Sequence, residues 1–338
     1  MQGRHWRHFA GAAFFTMFPE NSMPQSSTIP APMLPRFLVL LATYNGARWL
    51  VEQIESILAQ QDVHVDIHIT DDNSIDQTRS LIEATWGRDA RVRLMPQGPG
   101  TGSAGANFRR MLRSADMDGY DYIALADQDD IWMPLKLATA VAQMRRHGAD
   151  GYSCAVSSFW PDGRERVLGQ VARTTGCDFL FEGAGQGCTF VLTHSLGERV
   201  QRFCLEFPAA TEAMHYHDWL IYTLVRAWDL SWYFDPQAWL RYRQHDGNEI
   251  GSRGGLKSIT KRLELIKGGW FKRQILAALT VFRLANNANL LVNHFDALFQ
   301  RPATALRRLR LSIFFIRDGR RRLADRAVMV FAALAGWT

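Results

Sequence analysis

Between residues 37 and 126 the chain alternates short apolar runs with stretches whose apolar positions recur at helical spacing. Phe37-Leu38-Val39-Leu40-Leu41 is a continuous apolar run, which predicts a strand buried on both faces. Residues 47–60 place Trp49, Leu50, Ile54, Ile57 and Leu58 on one helical face. Val63–Ile69 alternates with polar positions and predicts a second strand. Residues 75–86 predict a helix capped by Ser74 or Asn73. Val92–Met95 predicts a short third strand, followed by a Gly-rich segment at 98–105 and a helix through Phe108, Met111 and Leu112. Tyr122–Ala126 predicts a fourth strand. Strand alternating with helix in short units is the pattern of a parallel α/β sheet.

Beyond residue 150 the alternation loosens. Strands are expected at Tyr152–Val156, Cys188–Leu192 and Leu230–Phe234, and helices at 194–205 and 216–228. From about residue 256 the chain reads as helical and basic. No internal repeat is found. Residues 19–35 are rich in Pro and Ser and read as a linker. Three regions follow: an N-terminal extension or overlong start over 1–35, an α/β body over 36–252, and a basic helical region over 253–338.

Charge sharpens this division. Residues 253–338 carry 17 Lys/Arg against 4 Asp/Glu, whereas residues 1–252 carry 22 against 29. An acidic body with a basic tail does not fit a nucleic-acid binder. At 47% hydrophobic and 21% charged residues, the composition excludes disorder of the whole chain. Cys154, Cys177, Cys188 and Cys204 are widely spaced with no C-x-x-C pair, which argues against a disulfide scaffold or zinc ribbon and for buried thiols. No segment holds the roughly 18 uninterrupted apolar residues that span a bilayer. Arg4, Arg7 and the run Phe9–Phe15 imitate a signal peptide but lack a clear small-x-small cleavage site. With Met23 and Met33 downstream, an extension is the expectation rather than export.

Ligands of an open parallel sheet bind beyond the carboxyl ends of its strands. Three such ends carry chemistry here: Thr43-Tyr44-Asn45-Gly46, Asp71-Asp72-Asn73-Ser74-Ile75-Asp76, and Asp127-Gln128-Asp129-Asp130. Clustered carboxylates repel one another and are costly to desolvate without a compensating cation. Hard oxygen ligands of this kind suit Mg2+ or Mn2+ with a diphosphate completing the shell. An EF-hand loop is excluded, because Ile75 stands at its third ligand position and Asp76 where glycine is needed. The glycines at 98–105 do not follow a dinucleotide fingerprint.

The segments LLATYNGARWLVEQIESILAQQ, ITDDNSIDQT and ALADQDDIWMPLKL together resemble glycosyltransferase family 2, over about residues 37–250, and most of all its bacterial rhamnosyltransferase-type branch. The resemblance implies a GT-A (Rossmann-like) fold, a mixed and mostly parallel sheet flanked by helices. It implies that 36–252 is a catalytic domain transferring a sugar, with inversion, from a nucleotide diphosphate. Thr43, Tyr44 and Asn45 would lie at the nucleotide, with Tyr44 near the base. Asp72 would accept from the pyrimidine N3–H, with Asp71 and Asp76 shaping the turn. Asp127-Gln128-Asp129 matches the family's DxD motif, so Asp129 would ligate Mg2+ or Mn2+, Asp127 would face the donor's ribose or the metal, and Gln128 would face the donor. Gly187, Cys188 and Trp219 would lie on the acceptor side. His217-Asp218-Trp219 matches the segment that holds the general base, assigned here to Asp218. Arg241-Tyr242-Arg243-Gln244-His245-Asp246-Gly247-Asn248 resembles a stretch in which His245 would close over the metal and Arg243 over the phosphates, with Asp246 departing from the branch pattern. Gly251, Gly254 and Gly255 suggest a lid.

The donor implied is a dTDP-sugar, with dTDP-L-rhamnose the branch-level expectation, or a UDP-sugar. The acceptor implied is a saccharide or lipid-linked precursor of a cell-surface polysaccharide. Transfer of galactofuranose, glucose or N-acetylglucosamine stays open. So does a zinc-dependent hydrolase built on His215-x-His217-Asp218 with His245. Residues 303–323 interleave seven arginines with leucine, isoleucine and phenylalanine. A helix there could lie in an anionic membrane interface, or pack on the catalytic domain with its arginines in solvent. The expected location is the cytoplasm, peripheral on the cytoplasmic face of the inner membrane.

Overall fold

A computed structural model describes residues 33–245, 264–286 and 288–337. Most of the expected N-terminal extension, and the glycine-rich segment with Asp246, Gly251, Gly254 and Gly255, lie outside the described residues. The elements run β1 (Arg36–Thr43), α1 (Leu50–Leu58), β2 (His64–Asp71), α2 (Thr78–Trp86), β3 (Val92–Leu94), α3 (Ala104–Ser114), β4 (Tyr122–Ala126), β5 (Ile131–Trp132), α4 (Lys136–His147), β6 (Gly151–Phe159), β7 (Glu165–Leu168) and β8 (Val191–Thr193). Then follow α5 (His194–Glu206), α6 (Pro208–Ala213), α7 (His217–Ala227), β9 (Trp232–Arg243), α8 (Trp270–Ala285), α9 (Leu290–Phe299), α10 (Ala305–Asp318) and α11 (Leu323–Leu334).

The strands form one mixed sheet in the order β3-β2-β1-β4-β8-β6-β9-β5, with β7 on β6. β3, β2, β1 and β4 are mutually parallel, and β8 joins β4 antiparallel. The period of two along β1 explains its unbroken apolar run. Leu38, Leu40 and Ala42 enter one core, and Phe37, Val39 and Leu41 the other. Each face is covered: α1, α2 and α4 contribute to the second core, and α3, α5 and α7 to the first. This is the layered α/β arrangement expected of a GT-A fold.

The C-terminal helices share the first core rather than standing apart. Phe181 receives Phe295 and Phe315 edge-on, and Phe179 stacks on Phe282. Arg321 is buried, and Arg320 donates to the Phe181 carbonyl. Among the described residues no helix is long and apolar enough to cross a membrane.

Several local expectations are corrected. Ser74 does not cap α2: the cap residue is Gln77, and the Ser74 hydroxyl donates to Asp71 Oδ1 at 2.5 Å. Residues 187–189 form a 3-10 turn, so β8 starts only at Val191. β9 runs well past the expected Phe234. The pairing of β6 with β9 jumps from Cys154↔Asp235 to Ala155↔Ala238, which leaves Pro236 and Gln237 in a bulge. Proline lacks the N–H a ladder needs, so it marks an interruption that the strand survives.

Candidate active site

β2, β1 and β4 are neighbours in the parallel half of the sheet, so their carboxyl ends emerge side by side. The turn after β1 is built by polar side chains. Thr43 Oγ1 donates to Asp71 Oδ1 at 2.9 Å. Asn45 takes the left-handed conformation (φ 48°), which asparagine tolerates. Its N–H donates to Ser74 Oγ at 2.8 Å, and its Oδ1 accepts from Ile75 N–H at 2.9 Å. Asp76 accepts from Thr78 N–H and from Ala47 N–H. Asp71 and Asp76 therefore shape the turn between them.

Above this turn the Tyr44 side chain is 55% exposed. The Gln128 carboxamide grips its backbone twice, accepting from Tyr44 N–H at 2.8 Å and donating to Tyr44 O at 2.9 Å. A side chain at Gly46 would collide with Gln128, since its Cβ would lie 2.1 Å from Oε1. Asp72 is buried, and its two carboxylate oxygens accept from Thr101 N–H (2.6 Å) and Gly102 N–H (2.9 Å). The glycine-rich loop after β3 is thereby fastened beside β2.

The third strand end carries the acidic cluster. Asp129 Oδ2 lies 2.6 Å from His245 Nε2, although 116 residues separate them. The His245 ring stacks on Trp49, with ring centroids 4.0 Å apart and planes 17° from parallel. Arg243, expected over the phosphates, donates through Nε to Asp129 O at 2.9 Å and pairs with Glu52 through Nη2. It thus braces the end of β9 against α1.

Asp127, Asp130 and Cys188 bring ligand atoms within 4.8 Å of one another. Asp130 is fully buried, and its Oδ2 has no hydrogen-bond partner among the described residues. Burial, and then the charges of Asp129 and Asp127, push its carboxyl well above the ordinary carboxylate range. Below it Lys136 is also fully buried, its Nζ 3.5 Å from the Trp132 ring centroid. Burial lowers that ammonium to about 8, against the pull of Cys154, Cys188 and Asp130.

These residues fit a hard divalent cation. Asp129 and His245 set a carboxylate oxygen beside an imidazole nitrogen, Asp127 offers a further oxygen beside Asp130 and Cys188, and the crowded carboxylates, one with a buried oxygen unpartnered among the described residues, call for positive charge. Cys188 is fully buried beside these carboxylates, and burial pushes its thiol well above its ordinary value.

The acceptor side needs two corrections. Cys188 is fully buried beside the acidic cluster. Trp219 is buried too, its indole N–H donating to Phe179 O at 2.7 Å. Neither presents a surface to an acceptor. Gly187 is close-packed instead: a Cβ there would lie 2.2 Å from His217 Nε2. His217 stacks on Phe108 at 3.9 Å, and burial lowers its imidazole to about 3. It is a neutral packing residue. Asp218 is half-buried in the first turn of α7, and its Oδ1 accepts from Trp219 N–H at 2.6 Å. Gly183 touches this turn, since its Cβ would sit 3.1 Å from Trp219 N. One short loop, residues 183–188, therefore runs from Asp218 past His217 to the acidic cluster.

Among the described residues the Asp127–Asp130–Cys188 group is the one place where three metal-capable side chains converge, so His215, His217 and His245 do not assemble a zinc site. Several site residues escape the local pattern. Trp49 and Glu52 sit one helical turn apart at the start of α1, and Lys136 lies four residues after Trp132. That spacing was a signal for the lysine.

A model of the family described as Glycosyl transferase family 2 matches residues 38–205. The chain is 34% identical over 236 residues to the dTDP-rhamnosyl transferase RfbG of Shigella flexneri, covering 70% of this chain and 82% of that protein. It is 34% identical over 116 residues to the succinoglycan biosynthesis protein ExoO of Rhizobium meliloti, covering 34% of this chain and 32% of that one. Among solved structures, S. aureus TarS 1–349 in complex with UDP-GlcNAc superposes with a TM-score of 0.50 at 13% identity, covering 89% of this chain and 88% of that one. That last likeness concerns the fold.

Proposed function

Since the chain belongs to glycosyltransferase family 2 and so uses a nucleotide-sugar donor, we propose that it transfers L-rhamnose from dTDP-L-rhamnose, with inversion, to a saccharide or lipid-linked acceptor of a cell-surface polysaccharide. The observation that carries the donor assignment is the 34% identity to a dTDP-rhamnosyl transferase across 82% of that protein's length.

In this reading Tyr44 and Asp72 receive the pyrimidine, with Thr43 and Asn45 fixing the turn beneath it. Asp72 Oδ1 accepts from Thr101 N–H and from Arg110 Nη2, whereas Oδ2 accepts, among the described residues, from Gly102 N–H alone and retains a lone pair for the base N3–H. Asp127, Asp129 and His245 would hold Mg2+ or Mn2+. When bound, that cation stabilises the charge that develops on the departing diphosphate. Asp218 takes the proton of the acceptor hydroxyl as its oxygen bonds to the anomeric carbon. The bond from that carbon to the diphosphate oxygen breaks on the opposite face, and the configuration inverts.

Thermal unfolding with dTDP, UDP and GDP, each with and without Mn2+, tests the donor. A ligand that binds the native state alone raises apparent stability. The expected result is a rise with dTDP that requires Mn2+. A rise with GDP alone, or with no nucleotide, would sink the reading.

The attachment to membrane belongs to the same reading. α10 buries Leu311, Phe314 and Phe315, yet leaves Leu306, Leu309, Ile313 and Ile316 exposed along one stripe. Arg310 and Arg317 flank it in the open. An apolar stripe edged by arginines complements an interface of acyl chains and anionic headgroups. Burying a leucine-sized side chain contributes about 1.5–3 kcal/mol. The double change Leu309→Glu with Ile313→Glu should therefore weaken sedimentation with phosphatidylserine vesicles by at least about tenfold. Equal sedimentation of variant and parent would remove the membrane from the account.

A further inference from the structure

The segment that leads to Gly183 is held from two sides. On one side stands α7, whose first turn carries Asp218. Trp219 donates its indole N–H to Phe179 O at 2.7 Å, and Thr223 Oγ1 donates to the same carbonyl at 3.2 Å. Gly183 itself abuts the start of the helix. A Cβ there would lie 3.1 Å from Trp219 N and 3.3 Å from the carbonyl carbon of Asp218.

On the other side stands the turn between α10 and α11. Thr175 Oγ1 donates to Gly319 O at 2.7 Å, and Arg320 Nε to Phe181 O at 2.9 Å. Arg321 makes three bonds to the same segment. Its backbone N–H donates to Glu182 Oε1 at 2.5 Å, its Nη1 to Asp178 Oδ2 at 3.0 Å, and its Nη2 to Gly183 O at 2.6 Å.

Both sides meet in a buried charge cluster. Asp178 is fully buried, Glu182 is 4% exposed and Arg321 9% exposed. Asp178 also accepts from Arg226 Nη1 at 2.5 Å and from Tyr222 Oη at 2.8 Å, and both of those residues belong to α7. One carboxylate thus joins α7 to the C-terminal turn. A buried ion cluster often adds no stability over apolar packing of the same volume, and its best-attested use is to fix one register. The planar guanidinium suits that use, because it holds several acceptors at set angles.

What Arg321 fixes lies against the base. Its Nη2 holds the Gly183 carbonyl, and Gly183 presses on the turn of Asp218. A general base must stand within hydrogen-bond reach of the proton it takes, so a small displacement is costly in rate. Resting on the reading of Asp218 as that base, we propose that Arg321 is a positioning residue for sugar transfer: from the C-terminal helical region it holds Gly183, and through Gly183 the Asp218 turn. The C-terminal helices then belong to the working active site.

Arg321→Met tests this on the full chain. Asp178 keeps Arg226 and Tyr222, and the backbone N–H of residue 321 still reaches Glu182, so neither carboxylate is left without a donor. Hydrogen exchange of the amides at 217–220 should quicken by at least about tenfold, the scale of one lost charge-assisted hydrogen bond, while the amides of β1 stay protected. Transfer of labelled rhamnose from dTDP-L-rhamnose to a lipid extract of the cells that make the protein is measured alongside. There kcat should fall by up to about 10²-fold, with the donor KM and the dTDP-dependent thermal shift unchanged. In an Asp218→Asn background the same change should cost less than about twofold, because its effect runs through the carboxylate already removed. Unchanged exchange at the turn, unchanged kcat, or an equal loss in both backgrounds overturns the positioning role. Near-parental transfer by Asp218→Asn alone overturns the base reading instead, and the exchange result still tells whether Arg321 holds the turn. Should Arg321→Met not fold, Arg321→Lys, which keeps the charge and loses the fork, decides by the same measurements.

Discussion

Asp129→Ala should cut sugar transfer by at least about 10²–10³-fold, the scale of removing one group that stabilises charge in a transition state, while the protein stays folded. The reasoning runs through both roles of the carboxylate. Asp129 Oδ2 and His245 Nε2 already sit 2.6 Å apart, so the variant deprives a cation of one ligand and His245 of its bond to that carboxylate. The fold, by contrast, gains from the change. Of the two like charges that, after burial itself, push the Asp130 carboxyl above its ordinary range, Asp129 has the larger effect. Removing it relieves repulsion inside a buried cluster. The expected signature is therefore a divided one: unfolding without ligand at the same temperature or higher, no Mn2+-dependent shift with dTDP, and no transfer. Turnover within about threefold of the parent, a difference too small for a lost metal ligand, would refute the role. So would a large loss of stability, because it would make Asp129 a structural residue.

The half of the fold that binds the donor was legible because it obeys one simple rule. β1 and β4 are covered on both faces, so they read as unbroken apolar runs bounded by polar turns, and Tyr122–Ala126 was placed to the residue. The acidic rim followed from asking what lies just beyond those strands. The second half resisted for identifiable reasons. β9 carries Pro236 in a bulge, so its alternation breaks where the strand does not. Cys188 and Trp219 were placed on the acceptor side by the family resemblance, but burial is a property of the packed core and not of a motif in sequence. The resemblance implied that His245 would close over the metal, whereas its 2.6 Å approach to Asp129, the Trp49 stack and the Glu52–Arg243 brace were not legible. The basic tail misled in part. Arg321 and Arg307 are buried and bonded within the protein, Arg307 to Phe299 O at 2.7 Å, so positive charge in sequence did not equal positive charge on the surface. The exposed stripe of α10 still retains the apolar character read from the sequence.

Asp218→Asn separates two accounts of the same residue. Asp218 stands in the first turn of an 11-residue helix, where the N–H groups at the helix start favour a negative charge. A residue there could serve only to finish the helix. Asparagine does that as well as aspartate, and a loss of a few tenths of a kcal/mol is all a structural role predicts. It also preserves the acceptor oxygen that Trp219 N–H reaches at 2.6 Å. What asparagine cannot do is take a proton. If Asp218 is the base, kcat should fall by about 10²–10⁴-fold with little change in the KM for the donor, because donor contacts lie elsewhere. The acid limb of the pH–rate profile should vanish with the carboxyl, and the dTDP-dependent thermal shift should persist. The surroundings favour this outcome. The turn that carries Asp218 is pressed against Gly183, where a Cβ would lie 3.1 Å from Trp219 N, and the same loop continues to Cys188 in the acidic cluster. An acceptor lying along that loop would bring its hydroxyl to Asp218 and its attacking oxygen toward the sugar held at the rim. Near-parental turnover in Asp218→Asn would return Asp218 to the helix and leave the base to be sought elsewhere, with Glu182, the residue before that loop, among the carboxylates to test.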